Sequence, residues 1–254
     1  LKYNVVPLQG MSESLLAISN SIKIGKVWKN FADIKIPEEI PNLKKKIKTY
    51  SEYESKLILK KNKIPIPKSL VTNKKNILRD SKKIGFPLVA KINSNTVFHK
   101  TEIGGVVTNI NSEKELKKKT NKFTGNILIE KMITDNVFEM IIGIKNDNEF
   151  GPTIILGAGG IYTELFKDTT TLLLPLTKRM IMEEIKKLKF SKILFGFRGK
   201  NSGDLDALVS SILKIAKFAE NNYDKISEVD INPLIVCKKG KGVFAVDALI
   251  HYFK

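Results

Sequence analysis

His99 is one of only 2 histidines in 254 residues, and its neighbours are chemically suggestive. It sits in Val97-Phe98-His99-Lys100-Thr101-Glu102-Ile103-Gly104-Gly105-Val106, between two apolar, strand-like runs. A neutral imidazole can accept a phosphoryl group and pass it on as a covalent intermediate. Lysine neutralises phosphate charge, and Gly104 and Gly105 allow the backbone to approach an anion closely. A lone histidine in a polar loop is usually just a solvated side chain, so the surrounding residues have to decide.

A second constellation lies near the C-terminus. Asp230 and Asn232 alternate with Val229 and Ile231, which puts both polar side chains on one face of a strand. Asp247 ends the next strand-like run, Gly242 to Asp247, which can pair with the first as a hairpin around Lys238-Lys239-Gly240-Lys241. Carboxylate and amide oxygens converging from adjacent strands suit Mg²⁺, which takes few protein ligands and keeps phosphate oxygens and waters. The competing reading is a row of solvated polar residues.

Other candidates are single residues. Lys91 ends the apolar run Phe86 to Ile92, where a lysine must snorkel to solvent or meet an anion. Glu130-Lys131-Met132 follows the apolar run Ile127 to Ile129, and Glu139 lies in another; their spacing alone says little. Gly157-Ala158-Gly159-Gly160 is neither a P-loop, lacking Gly-Lys-Ser/Thr, nor a dinucleotide fingerprint. A tight turn explains it equally well. Arg198, in Phe195-Gly196-Phe197-Arg198-Gly199, is available to phosphate or to a partner domain. His251 reads as an inert tail residue.

These residues need positioning elements. Residues 1–48 read as the tail of a preceding domain plus a linker: a short strand at Tyr3–Leu8, a helix capped by Ser12, then Pro37, Pro41 and Lys44-Lys45-Lys46. Ser51 followed by Glu54 is a capping box for a helix running to about Lys61. Helices at about 75–84 and 112–119 flank strands 87–92 and 105–110, giving an α+β lobe over 49–125. Strands from Ile127, at 137–144 and at 152–156, helices at 178–188 and 203–222, and two final strands make a second lobe over 126–254. The fold class is therefore α/β, built as two α+β lobes.

Composition narrows the function. The net charge of +18 invites a nucleic-acid reading. However, only Arg79, Arg179 and Arg198 are arginine, and the lysines are scattered among Ile and Asn rather than interleaved with aromatics. Base readout favours arginine forks and single-strand binding favours aromatic platforms. We expect no nucleic-acid partner. No apolar run approaches the roughly 18 residues of a membrane span, and no signal peptide is read. The single cysteine, Cys237, excludes an internal disulfide and fits a reducing cytoplasm. Opening on Leu1 rather than Met, the chain reads as a fragment or processed piece.

The run Val89-Ala90-Lys91-Ile92, the polar loop and His99-Lys100-Thr101-Glu102-Ile103-Gly104-Gly105-Val106 closely resemble the ATP-grasp subunit of ADP-forming acyl-CoA synthetases, relatives of succinyl-CoA synthetase. The likeness continues through Phe150-Gly151-Pro152, Gly159-Gly160-Ile161-Tyr162-Thr163-Glu164, Phe197-Arg198-Gly199, Asp230-Ile231-Asn232-Pro233 and Val246-Asp247-Ala248. It implies an ATP-grasp fold whose two lobes enclose ATP or ADP with Mg²⁺. It further implies that His99 relays phosphate and that Lys91 contacts the nucleotide phosphates. Glu130, Lys131 and Met132 would form the adenine hinge, Glu139 would bind ribose, and Glu164 would face the nucleotide. Asn232 and Asp247, with Asp230 nearby, would hold the metal. Residues 1–48 are similar to the end of the CoA-ligase region in fused members, so a CoA-binding ligase subunit or upstream domains, and a carboxylate or acyl-CoA substrate, are the implied partners. A regulatory module of a protein acyltransferase and a non-catalytic nucleotide-binding scaffold are the alternatives; retention of His99 argues against the first, and retention of Lys91, Glu139, Asn232 and Asp247 against the second.

Overall fold

The computed structural model describes residues 10–29, 46–94, 104–147, 149–160 and 168–253. The chain divides into two units, Leu1–Glu38 and Glu39–Lys254. In the first, helix α1 (Met11–Lys29) begins before Ser12, which lies in the first turn and is not the cap. Gly10 precedes it at φ +79, and its carbonyl accepts from the Ser14 amide at 3.1 Å. The strand expected at Tyr3–Leu8 lies outside the described residues.

The second unit carries two antiparallel sheets with helices, so the expected α/β class holds. The large sheet runs β1 (Ile47–Thr49), β11 (Leu249–Phe253), β9 (Ile226–Cys237), β6 (Asn136–Asp147), β7 (Gly151–Ala158), β8 (Thr169–Leu173), with β10 (Val243–Ala245) also paired to β9. The small sheet runs β2 (Ser69–Thr72), β5 (Ile127–Lys131), β3 (Leu88–Ile92), β4 (Val106–Ile110). The expected lobe boundary at 126 thus falls before β5, which pairs with β2 and β3 in the small sheet. Conversely, β1 pairs with β11, and helix α2 (Glu52–Lys61) sends Leu59 into the large sheet's core.

Period-two patterning explains the long strands. In β6, Phe138, Met140, Ile142 and Ile144 are buried, while Glu139, Ile141, Gly143 and Lys145 take the other face. The buried face packs under helix α7 (Leu205–Asn221) through Leu208, Ile212, Ile215 and Ala219. Asp204 caps α7 by accepting from the Ala207 amide at 3.1 Å. Helices α5 (Lys178–Lys187) and α6 (Ser191–Leu194) complete this layer. On the small sheet, α3 (Ile77–Ile84) and α4 (Glu113–Lys119) cover Leu88, Ala90, Ile110, Ile127 and Ile129. The capping box on α2 is present: the Ser51 amide donates to Glu54 Oε2 at 2.8 Å, and the Glu54 amide to Ser51 Oγ at 3.3 Å.

Phe190 is 1% exposed and stacks on Phe138 with ring centroids 4.6 Å apart. Phe190→Ala should cost about 3–5 kcal/mol through lost burial and the cavity left behind. Urea unfolding should show a lower midpoint with an unchanged slope; an unchanged midpoint would contradict this placement of the core. The thiol of Cys237 is buried and pushed up to about 11 by burial, with Asp135 and Asp204 adding to it, so it serves as a packing group. Among the described residues no helix is long and apolar enough to cross a membrane.

Candidate functional site

The site begins with four buried charges. Lys91 on β3 pairs across from Leu128, so Glu130, two residues along β5, is its diagonal neighbour on the same face. Glu52 and Lys56 stand four apart on α2 and so share one helix face. Lys91 Nζ lies 2.7 Å from Glu52 Oε1 and 3.0 Å from Glu130 Oε1, and donates to the Val246 carbonyl at 2.6 Å. Lys56 Nζ lies 2.9 Å from Glu52 Oε1 and 2.5 Å from Glu130 Oε2. All four residues are at most 4% exposed. Burial draws the Lys91 ammonium towards its neutral form. The charges of Glu130, Glu52 and Asp247 outweigh that and hold it protonated, above the usual lysine range.

Asp247 joins this cluster at 3.9 Å from Lys91 Nζ. The expected strand placement needs correcting here. Strand β10 stops at Ala245, and Asp247 lies in the corner before β11. The predicted hairpin does form, with Val243 opposite Val236 and Ala245 opposite Leu234. A third strand, β11, then pairs further along the same edge of β9, the edge opposite β6, placing Leu249 opposite Asp230. The corner between these two strands, which follow one another along that edge, brings Asp247 towards Asp230. Burial raises the Asp230 carboxyl to about 6, with the charges of Asp247 and Glu228 adding to it.

Asn232 of β9 and Glu139 of β6 both hold the Gly159-Gly160 turn. The register skips one residue of β9 between Ile231 and Leu234, a bulge that re-aims the chain at Asn232. Asn232 Oδ1 accepts from the Gly160 amide at 3.0 Å, and the Gly159 amide donates to the Glu139 carbonyl at 2.9 Å. Gly159 is sterically required, and Gly160 is required for its left-handed backbone. A Cβ on Gly159 would lie 2.4 Å from the Met140 carbonyl carbon. One on Gly160, at φ +58, would lie 2.0 Å from Glu139 Oε2. Asn136 Nδ2 adds a bond to Glu139 Oε1 at 3.2 Å.

The remaining candidates are distributed around this centre. Lys131 Nζ donates to the Phe86 carbonyl, and the Met132 amide to the Pro87 carbonyl at 3.1 Å, so both tie β5 to the entry of β3. Gly105 accepts from the Ile92 amide at 2.9 Å, and Gly104 has φ +68. The two ends of the segment bearing His99 are therefore clamped together next to Lys91, which pairs with Val106. His99 and Glu164 themselves lie outside the described residues. Arg198 borders a cleft of about 770 Å³ with Phe197, Lys200, Lys238 and Asn136, the residue that also bonds Glu139. His251 sits on β11, with Nδ1 2.9 Å from Thr49 Oγ1, and is a strand residue rather than tail. Sequence reasoning missed Glu52 and Lys56, because a Glu–Lys pair at i,i+4 ordinarily marks a solvated helix face.

The donor set fits a hard, partly hydrated cation. Asp230, Asp247 and Asn232 offer only oxygen, and the two carboxylates disfavour each other's charge without a cation between them. Among the described residues no group of three or more His, Cys, Asp or Glu side chains could hold a metal ion.

Comparison with known proteins gives this site its context. A family model described as an ATP-grasp domain matches residues 42–251. The chain is 35% identical over 212 residues to the acetate–CoA ligase [ADP-forming] II subunit beta of Pyrococcus furiosus, covering 78% of this chain and 89% of that one. It is 36% identical over 238 residues to the 4-hydroxybutyrate–CoA ligase [ADP-forming] of Nitrosopumilus maritimus, covering 89% of this chain but only 33% of that protein. A solved structure of acetyl-coenzyme A synthetase 1 from Ca. Korarchaeum cryptofilum superposes with a TM-score of 0.73 at 34% identity, covering 82% of this chain and 93% of that one. That protein was captured with coenzyme A and Mg-AMPPCP, its phosphohistidine segment pointing towards the nucleotide site. With a family match spanning residues 42–251 and a beta subunit matched along 89% of its length, this chain belongs to the ATP-grasp family, alongside the beta subunits of ADP-forming acetate–CoA ligases.

Proposed function

We propose that this chain is the ATP-grasp part of an ADP-forming acyl-CoA synthetase. It would bind Mg-ATP or Mg-ADP and carry a phosphoryl group on His99 between the nucleotide and an acyl site. The reading is carried by one observation: Lys91 and Glu130 of the small sheet and Val246-Asp247, in the corner between β10 and β11, meet in a single cluster. The relatives named above are ligases, which favours this reading over an acyltransferase module or a scaffold.

In this reading Asn232 and Asp247 hold the metal, with Asp230 beside them. Mg²⁺ supplies charge neutralisation on the phosphates. Lys91 keeps its full charge at the junction of the sheets, and Glu139, which accepts from Asn136, would bind the ribose hydroxyls. Lys131 and Met132 brace the hinge, and Glu164 faces the nucleotide. Gly104 and Gly105 close the relay loop, and Arg198 contacts phosphate or the partner. The His99 imidazole nitrogen attacks the γ-phosphorus, an N–P bond forms, and the P–O bond to ADP breaks. Phosphohistidine then delivers the group to a carboxylate, giving an acyl phosphate that CoA converts to thioester on a ligase partner. Positioning and charge neutralisation carry most of such a transfer. The partner is a CoA-binding ligase subunit or fused domain, since the matched Nitrosopumilus protein is about three times the length matched here. A cytoplasmic setting fits the lone reduced thiol.

Reconstitution tests the reading. The chain mixed with a CoA-binding ligase subunit, acyl-CoA, ADP, phosphate and Mg²⁺ should yield ATP, and neither component alone should do so. Absence of ATP formation with every short acyl-CoA offered would count against it.

A further inference from the structure

Two side chains of the central cluster, Glu52 and Lys56, have no part in the chemistry above. Lys56 is 0% exposed and spends its charge on Glu52 and Glu130. Lys91 has three N–H bonds. Glu52 Oε1, Glu130 Oε1 and the Val246 carbonyl, at 2.7, 3.0 and 2.6 Å, account for them. The ammonium is thus anchored to two carboxylates on one side and, on the other, to the backbone one residue before Asp247.

We infer that Glu52 and Lys56 are positioning residues for the metal corner. Lys56 holds the two carboxylates, the carboxylates hold the Lys91 ammonium, and that ammonium grips the Val246 carbonyl so that Asp247 is presented to the ion. The inference rests on the proposed function, because it concerns that same metal site.

Plain core packing is a poor explanation for the arrangement. Replacing a buried ion cluster by apolar groups of similar volume is often neutral or stabilising, so four buried charges are not needed to dock α2. An apolar core cannot hold a backbone carbonyl in one place by directed bonds. The ion pairs also reach across elements far apart in sequence, from α2 to β3 and β5 and then to the corner after β10. Partners behind a metal ligand fix its orientation, and their loss commonly weakens metal binding without touching the ligand itself.

The test uses Glu52→Gln, Lys56→Met and the double variant, in which one positive and one negative charge are removed together. Three quantities are measured: thermal unfolding, ATP affinity without metal, and the free Mg²⁺ that half-saturates ATP binding. The charge-balanced double variant should fold and bind metal-free ATP as wild type does, yet require about 10- to 100-fold more Mg²⁺. A folded double variant with the wild-type Mg²⁺ requirement would overturn the inference. If the double variant does not fold, the charge-balanced Glu52→Gln/Lys56→Gln pair, which keeps both side chains polar and of similar length, carries the same comparison. A measurement on unmodified protein stands beside these. With ¹⁵N-lysine labelling, the ammonium signals of both Lys56 and Lys91 should move when Mg²⁺ is added to the ATP-bound chain. A Lys56 signal that stays still would contradict the coupling. If wild type binds no Mg-ATP, the proposed function falls and takes this inference with it; if wild type binds and the variants match it, only the inference falls.

Discussion

Asp247→Ala should abolish the Mg²⁺ dependence of nucleotide binding. Asp247 is a carboxylate of the donor set and sits at the junction of the two sheets, 3.9 Å from the Lys91 ammonium. Loss of a residue behind a metal ligand already costs about 10- to 100-fold in affinity, so loss of the ligand itself should cost about 100-fold or more. Calorimetric titration of ATP into wild type should show tight binding with Mg²⁺ and weak binding without it. The variant should show weak binding in both. The fold should survive, because Asp247 lies in a corner and is 41% exposed at the side chain. An affinity in the variant equal to wild type, with and without metal, would sink the metal assignment.

His99→Ala should split binding from turnover. The imidazole is the proposed covalent carrier, and it is not needed to hold the nucleotide. Removing a covalent nucleophile from a concerted site typically costs about four to six orders of magnitude in rate. The reconstituted synthetase should therefore fall to background in both directions, while Mg-ATP affinity stays within about twofold. Wild-type rates in the variant would return His99 to the status of an ordinary polar residue.

The local parts of this site could be read from the sequence, and the long-range parts could not. The alternation Val229-Asp230-Ile231-Asn232 places the two polar residues on one face, as the burial of Val229 and Ile231 confirms. The capping box at Ser51 and Glu54 stands where its spacing put it. By contrast, nothing local reveals that β5 belongs to the small sheet, because sheet membership is set by pairing with β2 and β3. The strand β11 is a short apolar run at the C-terminal end and gains its identity from pairing with β9 and β1. Glu52 and Lys56 carry the same difficulty: their spacing is that of a surface pair, and only the arrival of Lys91 and Glu130 from distant strands makes them interior. The steric need for Gly159 is likewise invisible until β6 lies against it. Short-range periodicity fixes which way a side chain points, whereas register decides what it meets.

The central claim is that a phosphoryl group is carried on His99. The direct measurement is to incubate the chain with Mg-ATP, quench in alkali, and locate added phosphate by peptide mass spectrometry. The account predicts one phosphate on His99, lost in acid and stable in base, and absent when Mg²⁺ is withheld. Phosphate found instead on serine or threonine, surviving acid, or an equal label in the His99→Ala chain, would contradict it.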